Sequence, residues 1–160
     1  NRIILLGDSA GAQMTSQYAA MHTNPKYAAL FGLNMANVNI RAIGLFCGLY
    51  DLKEMGAAPR RGMHKDYFGK LPKDDPRFCC LEAITDRYPP AFITTGTHDF
   101  LRNLAEPMYA LLRSRGVEAQ WKCYGTETNK EIAHVFHVNL RLPEARLCND
   151  DAAEFFRKHV

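Results

Sequence analysis

The sequence predicts an α/β fold: a parallel sheet with helices on both faces, forming a three-layer sandwich. Three observations lead there. Apolar runs of strand length alternate with stretches of helical period from one end of the chain to the other. The runs are continuously apolar, the pattern of strands covered on both faces, where a half-exposed strand would alternate. Helical stretches also separate successive runs, and a crossover helix obliges its flanking strands to lie parallel.

Taken in order, the first strand falls at residues 2–6, Arg-Ile-Ile-Leu-Leu. After the turn Gly7-Asp8-Ser9, a helix rich in Ala and Met runs from Ala10 to about His22. It stops before Asn24-Pro25, because the residue preceding a proline is pushed out of the helical region. A second strand covers residues 41–47. From about residue 50 to 88 the pattern breaks into Gly, Pro and mixed charge, which reads as a lid-like insertion of short helical pieces over one end of the sheet, within a single domain of residues 1–160. Pro89-Pro90 sets up a strand at 91–95. Asn103 is expected to cap the next helix, with Glu106 at its third position, Leu104, Met108, Leu111 and Leu112 inward, and a stop at Arg115-Gly116. A strand at 117–124, a loop through His134 and a last helix from about 150 to 159, with Phe155 and Phe156 inward, complete about four strands.

Composition narrows the function. With 160 residues, 47% of them hydrophobic, the chain can bury a sizeable core. A net charge of +3 from 20 basic and 17 acidic residues, without a basic stripe interleaved with aromatics, gives no expectation of a nucleic-acid partner. The longest apolar runs are far shorter than the roughly 20 residues that span a bilayer. Five cysteines, an odd count without a C-x-x-C pair, read as free thiols of a reducing, cytoplasmic compartment. Cys79-Cys80 is too close for an ordinary bridge, and Cys123, alternating with Trp121, is expected in the core. Asp74-Asp75 could suggest a metal, but it lacks a third ligand nearby and reads as a solvated turn.

The chemistry concentrates in Gly7-Asp8-Ser9-Ala10-Gly11, a G-x-S-x-G sequence between a strand and a helix. In that context the serine stands on a strained turn, the glycines permit close approach of neighbouring elements, and Ser9 Oγ is presented above the carboxyl edge of the sheet. The helix N-terminus adds unpaired N–H groups, beginning with that of Ala10, able to bind an oxyanion. A serine hydroxyl needs a histidine to take its proton and a carboxylate to orient that histidine. Asp99, on the loop Gly96-Thr97-His98-Asp99 after a strand, supplies the acid. For the base, His134 and His137 both follow the last strand. His134 is favoured because Phe136, two residues on, would pack beneath the loop and hold the imidazole; His137 stays open as the alternative.

The blocks Gly7-Asp8-Ser9-Ala10-Gly11-Ala12, Pro89-Pro90 through Gly96-Thr97-His98-Asp99-Phe100-Leu101, and His134-Val135-Phe136 resemble the signature blocks of the hormone-sensitive lipase family of α/β hydrolases. The resemblance covers essentially the whole chain. It implies a carboxylesterase or lipase acting on short or medium acyl esters, with Ser9 as nucleophile, Asp99 as acid, His134 as base, and no metal or organic cofactor. It also implies a second oxyanion donor from a His-Gly-Gly loop upstream of the first strand, and about four further strands, so the chain is expected to be the C-terminal half of such an enzyme. A lost donor costs on the order of 100-fold to 1000-fold in turnover. The partners expected are a small-molecule ester and either the missing N-terminal half or a second copy of the chain. Two alternatives stand beside this reading. One is a serine peptidase of the same fold, against which Gln13 speaks. The other is a non-catalytic half-domain or proteolytic product that self-associates through the exposed edge of its first strand.

Overall fold

The computed structural model describes residues 2–51 and 75–160. Four strands form one sheet: β1 (Ile3–Asp8), β2 (Ile40–Phe46), β3 (Ala91–Gly96) and β4 (Ala119–Tyr124), hydrogen-bonded in that order and all parallel. Helix α1 (Ala10–Thr23) and the short α2 (Pro25–Ala29) join β1 to β2, α3 (Ala105–Ser114) joins β3 to β4, and α4 (Pro143–Arg157) closes the chain.

The period-2 alternation of side chains divides each inner strand between two cores. Ile43, Leu45, Ala91 and Ile93 pack with Ala12 and Ala19 of α1 and with Met108 and Leu112 of α3. Ala42, Phe46 and Phe92 face the other way and pack with Ala145, Cys148, Phe155 and Phe156 of α4. Helices therefore cover both faces, and the three-layer parallel arrangement holds. Among the described residues, β1 and β4 are the sheet's edges, and no helix is long and apolar enough to cross a membrane.

Several local expectations need correction. The last helix begins at Pro143, about seven residues before the expected start. Its start signals are a proline at the first position, where the missing N–H has no partner to lose, and Glu144 in the first turn. Asn24-Pro25 ends α1 and also starts α2, because the Asn24 side chain accepts from the N–H groups of Lys26 and Tyr27. Asn103 does not cap α3: it lies inside a 3₁₀ turn (Arg102–Leu104), the cap position falls on Leu104, and Leu104 and Leu111 are only partly buried. β4 starts at Ala119 because Val117 donates back to the Leu112 carbonyl past Gly116 at φ 76°, and so belongs to the helix stop. Cys123 is exposed, since β4 is an edge strand covered only in part; the other four cysteines are buried and all five are free.

The described parts of the insertion are short helical pieces, 3₁₀ turns at Pro76–Phe78 and Leu81–Ala83. They are tied to α1 by Tyr88, whose hydroxyl reaches Ser16, and by Gln17, which donates to the Arg77 carbonyl. Asp75 caps the first turn and pairs with the Arg77 guanidinium at 2.7 Å, which holds its carboxyl down at about 2. Asp74 and the remainder of the insertion, residues 52–74, lie outside the described residues.

Candidate active site

Three strand ends converge at the carboxyl edge of the sheet, where ligands bind in open parallel sheets. At the end of β1, Ser9 takes φ 50° and ψ −117° between strand and helix. Its N–H donates to the Phe46 carbonyl (2.9 Å) and its carbonyl accepts from Gln13 (3.2 Å), so the turn is held from both sides. The two motif glycines have different jobs. A methyl group on Gly7 would collide with the Gly11 carbonyl, so only glycine allows the strand to meet the first turn of α1; a methyl on Gly11 would find nothing nearer than Asp8 Oδ1 at 3.7 Å.

At the end of β3, Asp99 is 5% exposed and its carboxylate collects several donors. Oδ1 accepts from the Leu101 N–H (2.9 Å) and from His134 Nδ1 (2.8 Å), Oδ2 accepts from the Thr95 hydroxyl (2.8 Å), and the Cys47 thiol adds a further bond. Burial alone would push this carboxyl up, but the four donors outweigh it and hold it below the usual carboxylate range. The histidine loop reaches this point because β3 ends in Gly96: a methyl there would meet the Ile132 carbonyl, and His98, on the same loop as Asp99, bridges to Ala133.

His134 Nε2 lies 2.8 Å from Ser9 Oγ, so the structure brings Ser9, His134 and Asp99 into one hydrogen-bonded line. His137 does not join it. Its ring packs on Phe46 (4.7 Å between centroids), its Nε2 stands 3.6 Å from Asp8 Oδ2, and its buried Nδ1 has no partner. Burial, opposed in part by Asp8, lowers its pKa. Phe136 is buried, but its ring lies against Tyr124 and His137, and the ring against the His134 imidazole is that of Phe100. Ala10 is the first residue of α1, where an N–H has no acceptor within the helix and is free for an oxyanion.

Three residues of the site have no role assigned to them from the sequence. Cys47, Thr95 and Phe100 surround the acid and base, Phe100 with its ring 4.4 Å from that of His134. The described non-glycine residues with positive φ are Ser9, Cys47 and Val135, one under or beside each member of the line. Such strain collects where surrounding structure fixes an unfavourable conformation for use. Cys47, Asp99 and His134 also have metal-like spacing, within 4.8 Å of one another. They do not suit an ion: burial pushes the Cys47 thiol up, away from the thiolate a metal binds, and both nitrogens of His134 are engaged.

Comparison with known proteins bears on the fold. A search of curated proteins found no match. Among solved structures, esterase B from Lactobacillus rhamnosis is similar with a TM-score of 0.79 and 21% identity, covering 97% of this chain and 52% of that one. A putative carboxylesterase from Lactobacillus plantarum gives 0.72 and 19%, covering 99% and 56%. An esterase from Pyrobaculum calidifontis gives 0.65 and 23%, covering 94% and 50%. The chain thus spans about half the length of these structures. A family model described as the alpha/beta hydrolase fold matches residues 1–138, and the chain therefore belongs to this α/β-hydrolase family, which includes the hormone-sensitive lipase-like esterases.

Proposed function

We propose that this chain carries the nucleophile, base and acid of a serine carboxylesterase that cleaves short to medium acyl esters. The observation that carries the reading is the unbroken line from Ser9 Oγ through His134 to Asp99, 2.8 Å at each step. In acylation, Ser9 Oγ attacks the ester carbonyl while its proton passes to His134 Nε2. The negative charge on the carbonyl oxygen meets the Ala10 N–H at the helix N-terminus. Collapse of the tetrahedral species breaks the bond to the alcohol oxygen, which takes the proton from Nε2 and leaves. Water then repeats the sequence on the acyl-enzyme and frees the acid. Asp99, an acceptor at Nδ1, keeps the imidazole in the tautomer that can accept at Nε2 and offsets the imidazolium charge.

Short acyl chains are the first to try, since the neighbouring esterase B has been solved with a tributyrin phosphonate. The family resemblance adds to this reading a lid-like role for the insertion at residues 50–88, of which 52–74 lie outside the described residues, and a second oxyanion donor from a His-Gly-Gly loop. Labelling with a fluorophosphonate, read by intact mass, tests it. The unsubstituted chain should gain one adduct and the Ser9→Ala chain none. Absence of Ser9-dependent labelling, in the chain alone and in a form extended upstream to supply the second donor, overturns it.

A non-catalytic, self-associating half-domain is favoured by one observation, the outer edge of β1, unpaired among the described residues, with Leu6 58% exposed. Ester turnover by a chain that sediments as a monomer removes that reading.

A further inference from the structure

Phe100 is the most exposed large apolar side chain among the described residues, at 74%, yet its ring lies against the imidazole of His134 with centroids 4.4 Å apart and planes tilted by 43°. Its place is not a result of core packing, because it belongs to neither hydrophobic cluster. The turn around Asp99 fixes it: Leu101 N–H donates to Asp99 Oδ1, and Arg102 N–H donates to the Asp99 carbonyl at 3.0 Å. The residue between these anchors must project from the acid's loop toward the base.

We propose that Phe100 is the wall of the leaving-group side of the site and selects esters of apolar, bulky or aromatic alcohols. The inference rests on the serine esterase reading and adds which half of the substrate this ring meets. The direction follows from proton transfer. The oxygen that departs is the one that receives the proton from His134 Nε2, so it must come within hydrogen-bond reach of that atom, roughly 3 Å. The alcohol's carbon skeleton therefore leaves past the imidazole, and the ring packed on that imidazole is the apolar surface it encounters. The acyl chain has the other side, because the carbonyl oxygen points to the N–H of Ala10 at the start of α1. An exposed aromatic face offers a large contact area at small entropic cost, and stacks with an aromatic alcohol at ring separations of about 4.5–7 Å.

The test uses two substrate panels on the unsubstituted chain, Phe100→Ala and Phe100→Leu, with fluorophosphonate labelling of Ser9 as the control for a competent nucleophile. One panel holds the acyl group as acetyl and varies the alcohol through methyl, butyl, cyclohexylmethyl and benzyl; the other holds a p-nitrophenyl leaving group and varies the acyl group from acetyl to octanoyl. For Phe100→Ala, the preference in kcat/KM for benzyl over methyl acetate should fall about tenfold. Phe100→Leu should keep part of the preference for butyl and cyclohexylmethyl while losing that for benzyl, and the acyl-length profile should be unchanged in both. A labelled Ser9 with an equal fall across all alcohols, a change confined to the acyl panel, or no change at all overturns the proposal alone. A Ser9 left unlabelled both in the chain alone and in the form extended upstream overturns the proposed function, and this inference falls with it.

Discussion

β3 and β1 hold the two ends of the hydrogen-bonded line, and they hold them by different means. All six residues of β3 are buried between β2 and β4, and the strand delivers Asp99 into a pocket where four donors point at one carboxylate. Among the described residues β1 has a strand on one side only, with none of its six residues fully buried, and it delivers Ser9 onto a turn fixed by backbone geometry. The acid is placed by enclosure and the serine by local covalent shape. Enclosure tolerates backbone adjustment but not the loss of a polar partner, because an unmatched buried group costs its full desolvation. A strained turn tolerates polar changes around it but not a crowding atom.

The largest effect should come from breaking the enclosed end without changing its shape. Asp99→Asn keeps the size of the side chain but replaces an acceptor with a donor on at least one side, so that His134 is held in the wrong tautomer or not held. Acylation of Ser9 should slow on the order of 10⁴-fold, read as the rate of fluorophosphonate labelling at pH 7, with the fold intact by circular dichroism. A loss under tenfold would remove Asp99 from the role of acid.

The strained end should respond to crowding instead, and should distinguish its two glycines. Gly7→Ala forces a methyl against the Gly11 carbonyl and Thr15 Oγ1, so stability should fall by about 1–3 kcal/mol and labelling should slow as Ser9 is displaced. Gly11→Ala meets ordinary contact and sits in the first turn of a helix, so it should leave stability unchanged or raise it by up to about 1 kcal/mol. Urea unfolding of the two variants side by side decides the matter. Equal destabilisation would show that the motif's glycines act through their common spacing and not through one close approach.

The same contrast explains what was legible in the sequence. Ser9, Asp99 and the order of strands were readable because the motif, the turn after each strand and the alternation of elements are local patterns. The preference for His134 over His137 rests on Phe136 holding the imidazole, yet Phe136 packs on Tyr124 and His137, and Phe100 is the ring that meets His134. What enclosure decides was not readable. Cys47 meets Asp99 only because β2 and β3 are neighbours, a relation between residues about 50 positions apart that no spacing rule encodes, and Thr95, four residues before Asp99, meets it only because the turn after β3 folds the carboxylate back over the strand end. Cys123 was assigned to the core on alternation alone, and its exposure depends on β4 being an edge. The cap of α3 was misplaced because Asn103 satisfies the sequence preference while the backbone there forms a 3₁₀ turn first, and α4 was started late although Pro143 marked its beginning.

His137 lies where the two regions touch, and its titration shows which of their rules governs it. It stands on the histidine loop, packs on Phe46 of β2, and has Asp8 from the end of β1 at 3.6 Å, with His134 the other titratable neighbour. If enclosure governs, burial outweighs the attraction of Asp8 and the folded chain takes up a proton less readily than the unfolded one. The unfolded imidazole titrates near pH 6.5, so stability is fully present above that value and is lost as pH falls toward the lower folded pKa. If the partly exposed Asp8 governed, the folded pKa would be raised and acid would stabilise. His137→Phe removes the titration and keeps the ring on Phe46. Between about pH 7.5 and about pH 5 the unsubstituted chain should therefore lose a few degrees more in Tm than His137→Phe does. A smaller loss in the unsubstituted chain would mean that the ion pair to β1, not the burial against β2, sets the charge of this loop.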